Sequence, residues 1–333
     1  MIKIPSYLYL TLALLVVSSC AEAQEEKIRG RFVFNAIRAL DDLRATPHGD
    51  TGLFAIDNLN SAYLWEDGKT TRLRHNLSKP ALSPDGKWVA GHSAIDRKIM
   101  ITDIQGKEIR SLSFDQQAGP VRWSPDGKKI LYSIVLPSEE YDRLILKEYD
   151  LESDTHKHIA DFGSHSSILW FEYSPDGKKI VLEVLNSKNE DIQGIYVLNG
   201  DDNWKPAKIP NTELASSGMW FPDSRHIAAL RFNTRKGSKH AGAIYKLNIE
   251  TWEETKIRDF DLLFLQPKLS KDGKYFYLCK SHGKGGSVVV LWPLDDPTKE
   301  IPVTQSYHIE DPKRYLAHPL YATDSNPDWW QGE

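Results

Sequence analysis

One short stretch recurs along this chain: SPDGKW at 83–88, then SPDGKK at 124–129 and again at 174–179. Looser copies stand at 46–49 (TPHG), 221–224 (FPDS) and 270–273 (SKDG), so first residues are spaced by 37, 41, 50, 47 and 49. A repeat of this period means a chain built from one supersecondary unit used several times. The turn chemistry is self-consistent. Pro pre-sets φ, Asp bonds back to its own backbone, and Gly takes positive φ, which suits a type I turn closed by a left-handed residue. In FPDS, Ser224 stands where the others have Gly. A non-Gly residue there costs about 1 kcal/mol, which predicts the weakest hairpin of the six.

Each turn sits in an all-β setting. A short apolar run precedes it (PVRWS, ILWFEYS, SGMWF) and a second follows it (KKILYSI, KKIVLEVL, RHIAALRF). A third strand-like run comes next (KIMITDI, LILKEYD, GIYVLNG), then a shorter and more polar fourth (KEIRSLS, HKHIADF, ETKIRDF). Four short strands per unit, with no helical periodicity, define a propeller blade. The fold class expected is therefore all-β: a six-bladed β-propeller of four-stranded antiparallel blades spanning 27–306. Seven blades are allowed if the tail forms a partial one. The apolar run GRFVFNA (30–36) is expected to close the ring as an N-terminal strand added to the last blade, and the tail 307–333 to pack on the propeller.

The unit WSPDGKKIL at 123–131 resembles the TolB-type, WD40-like propeller repeat, in which an aromatic precedes S-P-D-G-K and a β-branched pair. The resemblance covers about residues 40–305, and NPDWW at 326–330 looks like a truncated lead-in of the same kind. It departs from TolB in having no separate α/β domain before the propeller. It implies a binding platform in the bacterial cell envelope, with an envelope protein as partner.

The N-terminus reads as an export signal rather than as part of the fold. Lys3 precedes an apolar stretch from about Tyr7 to Val17, too short to span a bilayer. AEA before Gln24 offers ordinary cleavage after residue 23. VSSC (17–20) resembles a lipobox, with Cys20 lipidated after cleavage at residue 19. The lipobox reading is preferred, giving an exported periplasmic or outer-membrane lipoprotein that meets the membrane only through that anchor. The second cysteine, Cys279, is then an unpaired small core residue.

Composition narrows function further. Net charge is −4 and no run of five bases exists, so nucleic acid is not an expected partner. No G-x-S-x-G elbow occurs: GHSAI (91–95) lacks the last Gly. The Gly-rich SHGKGGS (281–287) lacks phosphate-loop spacing, and HKH (156–158) sits on an outermost strand, so both read as structural. Acidic pairs such as Asp41/Asp42, Asp201/Asp202 and Asp295/Asp296 lack an EF-hand pattern. No cofactor is expected, and calcium at a blade tip has nothing to support it.

One constellation follows from the repeat itself. Two residues before each turn stand Arg44, Ala81, Arg122, Glu172, Met219 and Lys268. Innermost strands would place Arg44, Arg122, Glu172 and Lys268 around one level of the central channel. They would bind a small anionic or carbohydrate ligand or an acidic peptide end, or else pair among themselves, Arg122 with Glu172. Trp65, Trp204, Trp252, Trp329 and Trp330 fall near loops or the tail and are candidate anchors for a partner. The function expected is a non-enzymatic, monomeric platform. The alternative is an envelope polysaccharide lyase or hydrolase with its site at the channel mouth.

Overall fold

A computed structural model of the 333-residue chain describes residues 31–38, 61–66, 69–93, 96–116, 118–136, 143–213, 215–232, 241–260, 265–281, 287–296, 298–303, 320–322 and 328–331. They form six antiparallel sheets arranged as the blades of a propeller, numbered here in chain order. Blade 1 contains β1 (Arg31–Arg38), β2 (Ser61–Glu66) and β3 (Lys69–His75). Blade 2 runs from β4 (Ser78–Leu82) through β5 (Trp88–Ser93) and β6 (Lys98–Asp103) to β7 (Glu108–Ser113). Blade 3 has β8 (Ala118–Trp123), β9 (Lys129–Leu136), β10 (Arg143–Asp150) and β11 (Thr155–Asp161). Blade 4 has β12 (Ser166–Tyr173), β13 (Lys179–Asn186), β14 (Gly194–Asn199) and β15 (Lys205–Lys208). Blade 5 has β16 (Ala215–Trp220), β17 (His226–Phe232), β18 (Gly242–Asn248) and β19 (Glu254–Phe260). Blade 6 has β20 (Leu265–Leu269), β21 (Tyr275–Ser281), β22 (Ser287–Pro293) and β23 (Ile301–Pro302). The backbone of Cys279 lies in β21, but its side chain is outside the described residues.

The core is divided among the blade interfaces. Six apolar clusters are present, one between each pair of neighbouring blades. Middle strands therefore bury both faces: β5, β9 and β13 are almost wholly buried, while outermost β7 is largely exposed. This explains why the second strands read as continuous apolar runs and the fourth as polar ones.

The innermost strands have a free edge toward the channel, and those of blades 2 to 6 are each interrupted a few residues before the turn. The register with the second strand shifts at Ser78/Ala81, Ala118/Val121, Ile168/Trp170, Ser216/Met219 and Leu265/Lys268. Pro80, Pro120 and Pro267 fall inside three of these shifts. A bulge on an edge strand is where a residue lacking an N–H is tolerated, and it blunts an otherwise sticky edge.

Closure differs from the sequence expectation. Blade 6 is complete with its own four strands, and β1 is the second strand of blade 1, paired with β2. The innermost row of blade 1 comes from the other end of the chain. β24 (Leu320–Ala322) and β25 (Asp328–Trp330) both pair with β1, the latter as Arg31↔Trp330, Phe32↔Trp329 and Val33↔Asp328. The reason is burial. Phe32 packs toward blade 6 and Val33 toward blade 2, both with no exposed surface, so β1 belongs inside a blade and not on its edge. Phe32 stacks on Trp329 (ring centroids 4.9 Å apart) and meets Tyr277 edge-on.

A cavity at the collar of turns

In blades 2, 3, 4 and 6 the innermost strand ends in the repeated turn, built the same way each time. The Ser hydroxyl donates to the Asp carboxylate at 2.6 Å, the Gly N–H donates to the Ser carbonyl, and Gly φ is +68° to +72°. Burial alone would raise these four carboxyls. The Ser hydroxyl and the backbone N–H two residues after each Asp more than offset it and hold them below the usual range. In blade 5 Ser224 takes φ +54°, as its sequence required, but its hydroxyl accepts the Asp176 N–H of the neighbouring turn at 3.1 Å. That bond offsets the backbone cost.

The turns form a collar around a cavity of about 320 Å³. Its rim is Pro84, Pro125, Pro175, Pro222 and Lys271, the second residue of each turn. Its wall includes Leu82, Trp123, Tyr173 and Trp220. The wall is locked across blades: Trp123 Nε1 donates to the Ala81 carbonyl at 3.0 Å and Trp220 Nε1 to that of Glu172 at 3.3 Å. The Tyr173 hydroxyl donates to Glu148, itself held by Lys129 at 3.0 Å.

Inside lie the positions two residues before the turns. Arg122, Glu172 and Lys268 all line this cavity, as expected. Arg44 lies outside the described residues, and the sixth innermost position belongs to Asp328. Asp328 was missed because the residues after Trp329, WQGE, do not resemble the S-P-D-G motif. A better signal was the aromatic that follows the inner residue: Arg122–Trp123, Glu172–Tyr173 and Met219–Trp220 have their counterpart in Asp328–Trp329. Cys20 and Asp41/Asp42 are also outside the described residues.

Two pairs of opposite charge share this level without being equivalent. Lys268, 4% exposed, bonds Asp328 at 2.9 Å. Asp328 also accepts the Leu82 N–H at 2.7 Å and the Tyr277 hydroxyl at 3.3 Å. Burial would raise the Asp328 carboxyl, but Lys268, Arg122 and the Leu82 N–H hold it below its usual value. Burial lowers Lys268 against the opposing pull of Asp328. Arg122, 7% exposed, does not pair with Glu172. Its Nη1 donates to the Val121 carbonyl at 2.7 Å, its guanidinium lies 4.5 Å from the Trp170 ring centroid, and its Nε is buried with no partner. Trp170 is 1% exposed, also takes the Lys268 ammonium at 5.8 Å, and donates Nε1 to the Gly218 carbonyl at 3.0 Å. Burial pushes the Glu172 carboxyl up to about 7, against the opposing pull of Lys268 and Arg122.

Other sequence candidates separate from this site. His156 leans on Tyr149 and bonds the Tyr132 hydroxyl at 2.7 Å, a packing role between strands. Trp65 and Trp329 are buried, Trp204 is partly covered by Tyr173, and Trp252 is 41% exposed; the Trp330 side chain is outside the described residues. Among the described residues no three His, Cys, Asp or Glu side chains converge as a metal site, and no helix is long and apolar enough to cross a membrane.

No family model matches the sequence, and no curated protein does. Solved structures match in fold. TolB from Acinetobacter baumannii superposes with a TM-score of 0.61 at 16% identity, covering 92% of this chain and 68% of that one. An oligogalacturonate lyase in complex with manganese gives 0.54 at 16% identity, covering 80% and 81%. The oligogalacturonate lyase of Vibrio parahaemolyticus gives 0.52 at 16%, covering 74% and 71%. The chain is a six-bladed β-propeller with the TolB-like fold.

Proposed function

We propose that this protein is an exported binding propeller of the bacterial envelope that receives a partner or ligand in the collar cavity. The observation that carries this reading is the unspent donor of Arg122, buried in the wall of a cavity that opens between rigid turns. A buried donor without a partner costs stability, and a bound acceptor would recover it. Proline, Trp and Tyr side chains around it suit a ligand that lays an apolar face, of a sugar ring or a side chain, against them and carries one anionic group. The lipobox-like VSSC supports placement in the envelope, as does the fold likeness to TolB. Pull-down from envelope extract with wild type and Arg122→Gln, both checked for an unchanged melting profile, tests it. A partner kept by wild type and lost by the variant is expected. One held equally by both would move recognition to the face loops.

A second reading has its own support. Glu172 is partly neutral near pH 7 and shares the cavity with Arg122, which suits proton transfer, and the fold is also that of oligogalacturonate lyases. Unsaturated product from oligogalacturonate with manganese present would establish catalysis in place of binding.

A further inference from the structure

Resting on the reading of the collar cavity as a binding site, we infer that its ligand group is a carboxylate held between the Arg122 guanidinium and Glu172, and that binding it takes up one proton onto Glu172. The two residues occupy the same position on neighbouring innermost strands, β8 and β12, and line one cavity. Arg122 has a buried N–H to give and nothing in the protein receives it. Lys268, the other cation at this level, is already bonded to Asp328, so it has less to offer an incoming anion. A carboxylate entering toward Arg122 arrives beside Glu172 as a second like charge in a poorly hydrated site. Two carboxylates so placed share one proton. The proton comes from solvent and stays on a Glu172 oxygen, which becomes a donor to the incoming carboxylate while the Arg122 guanidinium donates from the other side. No bond to carbon changes.

Every group facing Glu172 is consistent with this balance. Arg122 comes from β8, Lys268 from β20, Asp328 from β25 and Tyr277 from β21, and the Trp220 N–H is turned toward the carboxyl from β16. Asp328 is held ionised by its three donors, so Glu172 is the group free to take the proton. Its midpoint near 7 leaves it largely ionised at pH 8.5 and largely neutral at pH 5.5.

The test uses the intact chain with carbon-13-labelled Glu, following the Glu172 carboxyl resonance through a pH titration. Galacturonate and N-acetylphenylalanine, each with a single carboxylate, serve as probes, with galacturonate methyl ester as the uncharged control. The Glu172 midpoint is expected to rise by a pH unit or more at saturating acid probe and to stay put with the ester. Affinity should fall toward tenfold per pH unit above 7, since ligand and proton are linked. Glu172→Gln, which keeps the shape and the donor, should bind at pH 8.5 as tightly as wild type binds at pH 5.5. Preference for one probe separates a sugar acid from a peptide acid. A probe that binds wild type without moving the Glu172 midpoint overturns the proton coupling and leaves the binding site standing. Absence of binding by both probes at pH 5.5, to wild type and to Glu172→Gln, overturns the site itself.

Discussion

Single residues decide whether this ring stays shut. Asp328 holds three donors from two other blades, so it ties blade 1 to blade 2 and blade 6 together. Its removal strands Lys268, 4% exposed, as an uncompensated buried charge. Asp328→Ala is expected to cost about 3–5 kcal/mol in urea unfolding, and adding Lys268→Met should restore much of it. The carboxyl is held below its unfolded value, so its contribution is present above about pH 4 and is lost as pH falls through the folded midpoint. Glu172 has the opposite sign. Its folded midpoint near 7 exceeds the ordinary glutamate value of 4.5, so ionising it costs stability progressively as pH rises between those values. Glu172→Gln should match wild type at pH 4.5 and exceed it at pH 8, by at most about 3 kcal/mol, in parallel denaturant titrations. Of the four charges at the level two residues before the turns, Arg122, Glu172 and Lys268 were legible from their distance to the turn. Asp328 was hidden because WQGE after Trp329 carries no S-P-D-G signature.

At the level of elements, the turns were readable and the closure was not. SPDG fixes its own conformation within four residues, so a local reading finds it in blades 2, 3 and 4 and recognises the variants FPDS and SKDG. Which blade an isolated strand joins is decided by partners hundreds of residues away. The apolar pattern of β1 is the same whether it ends blade 6 or fills blade 1. TPHG at 46–49 lies outside the described residues, and in the sequence it follows β1, the second strand of blade 1. Truncation before residue 320 should therefore remove the innermost row of blade 1, its stacking of Trp329 on Phe32 included. Hydrogen exchange is expected to show lost protection in β1 and β2 with β12 to β14 still protected. Equal loss in both regions would mean that the disc unfolds as one unit.

On the scale of the molecule, six interface clusters make each blade depend on two neighbours and on nothing farther away, apart from the channel. Trp170 of blade 4 is the exception, since it packs in the cluster between blades 5 and 6 and carries Arg122 of blade 3 on its ring. The all-β class and the six units were legible because the period is regular and the turn residues are few. The role of Trp170 under Arg122 was not, since Trp170 looks like any other core aromatic within its strand. The pairing of Arg31 with Trp330 puts the two described ends of the chain side by side on one blade, where every other blade has its collar turn. Lys271 spans that gap by donating to the Pro84 carbonyl at 3.2 Å. Topologically the disc is a circle cut once, and the cut falls at one of six equivalent places. Joining residue 331 to Arg31 through a turn like those of the other blades, and opening the chain at 126–127 instead, would yield a circular permutant whose seam lies in blade 3 beside Arg122. The cavity would keep its residues and exchange which of its walls is covalently continuous.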